Sequence, residues 1–169
     1  MKRYIRHEFL VLPLLLFSLF IYLFYRPETT VVHKLYAIFF TPSNEPLNQN
    51  LRGYLPLNEF IIYPLPEALW VISTTILSRR YYVIVYRKTL SLLYLPLVYS
   101  ITLEILQYLK IFHGYFDWWD IIFSTFGWLV IYLTIPTSIQ KSNFFKKIDA
   151  GKIAVIIIYL ILYLSHVTK

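Results

Sequence analysis

Three acidic side chains and an amide stand close together in the second half of this chain. They occur in the stretches Ser100-Ile-Thr-Leu-Glu104-Ile-Leu-Gln107 and Phe116-Asp117-Trp-Trp-Asp120. Carboxylates at such spacing can accept hydrogen bonds, exchange protons as a general acid and base, or hold a hard cation such as Mg²⁺ or Mn²⁺ through oxygen. The amide of Gln107 can orient whatever the carboxylates engage. Their surroundings make them conspicuous, because the flanking sequence is apolar enough for a membrane. An ionised group near the middle of a bilayer costs about 3 kcal/mol on insertion scales, so such residues face a bundle interior or a wet cavity.

The whole composition has the same character. Of 169 residues, 58% are apolar, 20% aromatic and 15% charged. Soluble domains carry about 25% charged residues, so the expected class is all-α, a polytopic transmembrane bundle of four to five helices forming a single integral membrane domain over 1–169. The absence of cysteine excludes disulfides, thiolate metal sites and cysteine nucleophiles. No glycine-rich phosphate loop or other nucleotide motif is present, and no cofactor is expected. The net charge of +7 sits in short basic clusters beside apolar runs. That placement fits topology signals and contacts with membrane lipids rather than nucleic acid.

The spans are expected at about 9–25, 60–78, 90–109, 118–135 and 153–167, with 26–59 as an external loop. The first follows Lys2, Arg3 and Arg6 and reads as a retained helix, since it exceeds a signal-peptide core and no small-residue cleavage site follows. Leu35 to Phe40, inside the loop, is apolar but too short to span, and is expected at the interface. The second span is expected to begin its regular helix at Pro66, which puts Glu67 in the first turn. Arg79, Arg80, Arg87 and Lys88 bracket a ten-residue connection to the third span. The last segment is about 22 Å long as a helix, against a hydrocarbon core of roughly 30 Å. It either spans with local thinning or lies re-entrant or interfacial.

With the amino terminus cytoplasmic, eleven of the sixteen basic residues fall inside. This is the sense the positive-inside rule favours. The localisation expected is therefore a cell membrane, multi-pass, with the turn 110–116 facing outward.

Glu104 and Gln107 share a helical face, about 9 Å below that turn. Asp117 suits an N-cap, and Asp120 lies in the first turn of the following helix, where the helix dipole also stabilises it. A hairpin at the turn brings Glu104, Gln107, Asp117 and Asp120 around one pocket, and Glu67 descends from the same side. The alternative is that these groups only fix helix register. His113 in the turn reads as an exposed, inert histidine. Trp118, Trp119, Tyr108 and Tyr115 fit an interfacial aromatic belt.

Glu104-x-x-Gln107, a short turn with Gly114, then Phe116-Asp117-x-x-Asp120 and Gly127 resembles the C-terminal signature of VanZ-like bacterial membrane proteins, over about 96–132. The chain departs from that pattern at His113 and Gly114, where an arginine is frequent, at Ser124 in place of asparagine, and at Ile131 in place of a second small residue. The resemblance implies a small envelope protein, associated in some members with glycopeptide-antibiotic resistance. The function expected is recognition of a polar envelope molecule, a lipid head group or cell-wall precursor, with Glu104, Gln107, Asp117, Asp120 and Glu67 as the ligand-binding residues. Two rivals are a metal-dependent enzyme acting on a lipid-linked phosphate, and an assembly subunit with a membrane-protein partner. No nucleophile motif or histidine pair is present, so catalytic and metal-ligating residues stay unassigned.

Overall fold

The computed structural model describes residues 7–26, 51–112, 114–135, 141–146 and 148–167. The expected interfacial segment 35–40, most of the loop 26–59, and His113 lie outside the described residues. The protein is mostly helical. A 3₁₀ turn, His7–Leu10, leads into α1, Val11–Tyr25, and the pair α2, Glu59–Ile62, and α3, Pro64–Ser78, follows after the loop. Next come α4, Leu95–Tyr108, α5, Trp118–Thr134, and α6, Ala150–Val167. Two stretches, Glu8–Tyr25 and Glu59–Ser78, are long and apolar enough to cross a membrane, and the remaining apolar helices are shorter.

The all-α expectation needs correction. The ten-residue connection after α3 is a hairpin of β1, Tyr81–Val85, and β2, Lys88–Ser91, and β3, Ser142–Asn143, adds to β1 in parallel. Val85 pairs with Lys88, so Tyr86 and Arg87 form a two-residue turn, both at positive φ (47° and 66°). Such turns favour Asn-Gly. With tyrosine and arginine there, the sequence carries no hairpin signal.

Local chemistry also moves three helix starts. The third span does not begin regular helix at 90: after β2, Ser91 Oγ accepts from Leu93 N at 3.4 Å and opens a 3₁₀ turn, so α4 starts at Leu95 with Pro96 in its first turn. Proline lacks an N–H, and the first turn is where that omission is harmless. The last helix starts at Ala150 rather than 153, because Asp149 Oδ1 accepts from Lys152 N at 2.9 Å and caps it. Its eighteen residues then extend about 27 Å, close to the hydrocarbon thickness.

The third change is at α3, which starts at Pro64 rather than Pro66. Neither proline can donate to the carbonyl four residues upstream, so Phe60 O and Ile62 O lose their helical partners and α2 separates from α3. Arg26, just beyond α1, fills part of that gap. Its Nε donates to Ile62 O at 3.3 Å and its Nη2 to Tyr63 O at 2.6 Å, and the guanidinium lies 4.2 Å from the Tyr22 ring centroid.

Helix α3 is the centre of the molecule, packed against α1, α4, α5 and α6. Its Ser73, Thr74, Thr75 and Ser78 are fully buried. The hydroxyls of Ser73, Thr74 and Thr75 donate to the carbonyls of Leu69, Trp70 and Val71 one turn back, so these polar side chains are satisfied within their own helix. Small residues let α5 approach. A Cβ on Gly127 would stand 2.9 Å from Ile72 Cγ1 and 3.4 Å from Ala68 O, so only glycine allows this spacing without displacing Ile72. Meanwhile Phe126 and Leu133 on the same helix are 66% and 71% exposed.

Candidate functional site: a three-carboxylate cluster

At the end of the bundle opposite the sheet, α3 and α5 begin and α4 finishes. Each contributes one carboxylate to the same place: Glu67 from the first turn of α3, Glu104 from the last turn of α4 and Asp120 from the first turn of α5. One oxygen from each lies within 4.8 Å of the others. Two ionised groups about 5 Å apart at an effective dielectric near 20 repel by about 3 kcal/mol, so this arrangement demands a compensating charge or proton.

The surroundings hold the three side chains in place. Ser100 Oγ donates to Glu67 Oε1 at 2.6 Å. Glu104 is 2% exposed, and its Oε2 accepts from Asp117 N at 3.0 Å. With its amide oriented to satisfy its neighbours, Gln107 donates to Glu104 Oε1 at 3.1 Å and to Tyr115 O at 3.3 Å, tying the carboxylate to the turn. Gly114 makes room for that amide: its φ is +127°, and a Cβ there would stand 2.7 Å from the Gln107 Nε2 position. Asp117 points elsewhere, its Oδ1 accepting from Trp119 N at 2.9 Å as the cap of α5.

Of the five residues expected from sequence, then, Glu67, Glu104 and Asp120 form the cluster itself. Gln107 supports Glu104 from behind, and Asp117 contributes its backbone amide while its side chain caps a helix. Sequence reasoning missed four neighbours. Ser100 and Ser124 each stand one helical turn deeper than a carboxylate, a spacing of four that was open to reading. Tyr22 and Arg26 also stand four apart, and the charge of Arg26 reaches both Glu67 and Asp120. Arg26 gives two of its N–H groups to the α2–α3 carbonyls, however, and forms no ion pair with the cluster among the described residues.

Two polar atoms in this region are buried without a hydrogen-bond partner: Asp120 Oδ1 and Ser124 Oγ. Leaving a buried polar group unmade costs about 1–3 kcal/mol, and more when it is charged. The cluster thus holds a buried carboxylate oxygen and a buried hydroxyl without hydrogen-bond partners of their own. No protein-family model matches this chain, and no curated protein and no solved structure matches it.

Proposed function

We propose that the protein is a multi-pass integral membrane protein of the VanZ-like kind, which recognises a polar envelope molecule at its acidic cluster. The observation that carries this reading is the meeting of Glu67, Glu104 and Asp120 at one end of a bundle whose outward-facing side chains are apolar. Buried serines and threonines beside exposed Phe126 and Leu133 invert the soluble pattern and suit a lipid solvent. In that reading α1, α3, α4, α5 and α6 all lie in a bacterial cytoplasmic membrane, with the shorter helices accommodated by local thinning. The carboxylates open toward the outer leaflet.

The unpartnered Asp120 Oδ1 favours a ligand that brings donors, such as the hydroxyl or ammonium groups of a lipid head group or a cell-wall precursor. Gln107 and the Asp117 amide hold Glu104 in position, and Ser100 holds Glu67. The test is mass spectrometry of envelope lipids and precursors retained by the protein purified in mild detergent. We expect one polar species to be enriched at least tenfold over the membrane extract, and to be lost from a Glu104→Gln, Asp120→Asn double variant that still purifies as a folded protein. Equal retention by that variant would refute the reading.

A further inference from the structure

We propose that Glu67, Glu104 and Asp120 together hold a hard divalent cation. Three helices deliver one carboxylate oxygen each within 4.8 Å of one another. The proposal deepens the pocket reading above, but it concerns the ion alone and needs no envelope ligand.

The spacing suits such an ion. Oxygens on opposite sides of Ca²⁺, each about 2.4 Å from the ion, are about 4.8 Å apart, whereas Mg²⁺ at about 2.1 Å would have to draw its ligands in to about 4.2 Å. No pair of the three oxygens lies farther apart than the Ca²⁺ span, and a smaller ion would need only a small inward shift of the side chains.

An independent observation points to the same occupant. Ser124 is 0% exposed, and its Oγ has no hydrogen-bond partner. It sits on α5 one turn below Asp120 and beside Glu67, near enough to interact with that carboxylate but not aligned for a hydrogen bond. Asp120 Oδ1 is likewise buried and unpartnered. A cation can engage both atoms at once, since a hydroxyl oxygen and a carboxylate oxygen are both hard ligands. Among the described residues, the cationic side chain whose field reaches Glu67 and Asp120 is Arg26, and two of its N–H groups go to Ile62 O and Tyr63 O. Glu104 completes the set with one oxygen toward Gln107 and the other toward the Asp117 amide, so its carboxylate plane is already held. Coordination positions left over fall to water or to an anionic or hydroxylated ligand.

Calorimetric titration of lipid-stripped, full-length protein with CaCl₂ should show one ion per chain, with a dissociation constant at or below about 1 mM. Glu67→Gln and Asp120→Asn should each weaken binding at least tenfold. Glu59→Gln, an exposed carboxylate of α2, should change it by less than twofold. A second arm needs no carboxylate variant. The chain has no cysteine, so a nitroxide can be placed on Tyr115→Cys in the turn or on Phe145→Cys at the sheet end, both highly exposed positions. Mn²⁺ should broaden the first label and leave the second sharp, and excess Ca²⁺ should reverse the broadening. No heat and no broadening up to 10-fold above that concentration, equal broadening at both labels, or undiminished binding in both carboxylate variants would overturn the proposal. Ion binding without any retained envelope species would leave the cation site standing and remove the envelope-ligand reading.

Discussion

The side chains that support the cluster are as telling as those that form it. Glu104 would be a costly buried charge were it not for the Asp117 amide on one oxygen and Gln107 on the other. Gln107 reaches Glu104 only because Gly114 leaves space at a φ of +127°, a conformation other residues rarely adopt. Gly114→Ala should therefore both strain the turn and push Gln107 off Glu104. We expect a loss of about 1–3 kcal/mol, read as a lowered midpoint of thermal unfolding in detergent, with weaker cation binding in the same protein. An alanine variant as stable as the parent would show that the turn can relax independently of Gln107. Gln107 and Gly114 are seven positions apart, and their mutual dependence is invisible until the chain has turned.

At the other end, a small sheet and two helix termini form a cap whose stability depends on pH. Tyr81 Oη donates to Asp149 Oδ1 at 2.8 Å, and Asp149 also caps α6 through Lys152 N. Those hydrogen bonds, that from Lys152 N first, hold the Asp149 carboxyl below its usual range. Burial, and the bond to Asp149, push the Tyr81 phenol up to about 12. The signs follow directly. The folded state favours ionised Asp149, so its contribution is present at neutral pH and is lost as pH falls below the ordinary carboxyl value near about 4. It favours neutral Tyr81, so that contribution is present below about 10 and is lost as pH rises through about 12. Amide protection over 150–153, after correction for the intrinsic pH dependence of exchange, should be highest between these limits, and Asp149→Asn, which still caps, should flatten the acidic limb. An acidic limb unchanged in that variant would place the pH dependence elsewhere. The helices here were legible as apolar runs. Their starts were not, because Ser91, Pro64 and Asp149 set them by capping and by missing N–H groups. The hairpin was hidden by Tyr86 and Arg87, residues that do not advertise a turn.

Most of the described basic residues lie at the sheet end, with Arg26, Arg52 and Lys110 at the other. Arg79, Arg80, Arg87, Lys88, Lys141, Lys146 and Lys152 gather around the sheet, where Arg80 pairs with Glu8, while Glu59, Glu67, Glu104, Asp117 and Asp120 lie at the other end. In a membrane that asymmetry directs the sheet to the cytoplasm and the carboxylates outward. An impermeant maleimide should therefore label Tyr54→Cys in intact cells, and Phe145→Cys only once the membrane is opened. The reverse pattern would invert the orientation and move the acidic site to the cytoplasmic leaflet.

Composition, apolar runs and 3.6-residue spacing were enough to show which segments are helical, which face of α4 carries Glu104 and Gln107, and that Asp117 suits a cap. These are local properties, decided within one or two turns of chain. Tertiary structure alone decided that Glu67, Glu104 and Asp120 meet, that α3 rather than the α4–α5 hairpin is the centre, and that Arg26 serves carbonyls instead of carboxylates. The physical reason is that the meeting depends on how closely and at what angle helices cross. That distance is set by contacts such as Gly127 on Ile72 and Ala68, and Ser100 on Glu67 33 positions away, which leave no periodic trace in sequence.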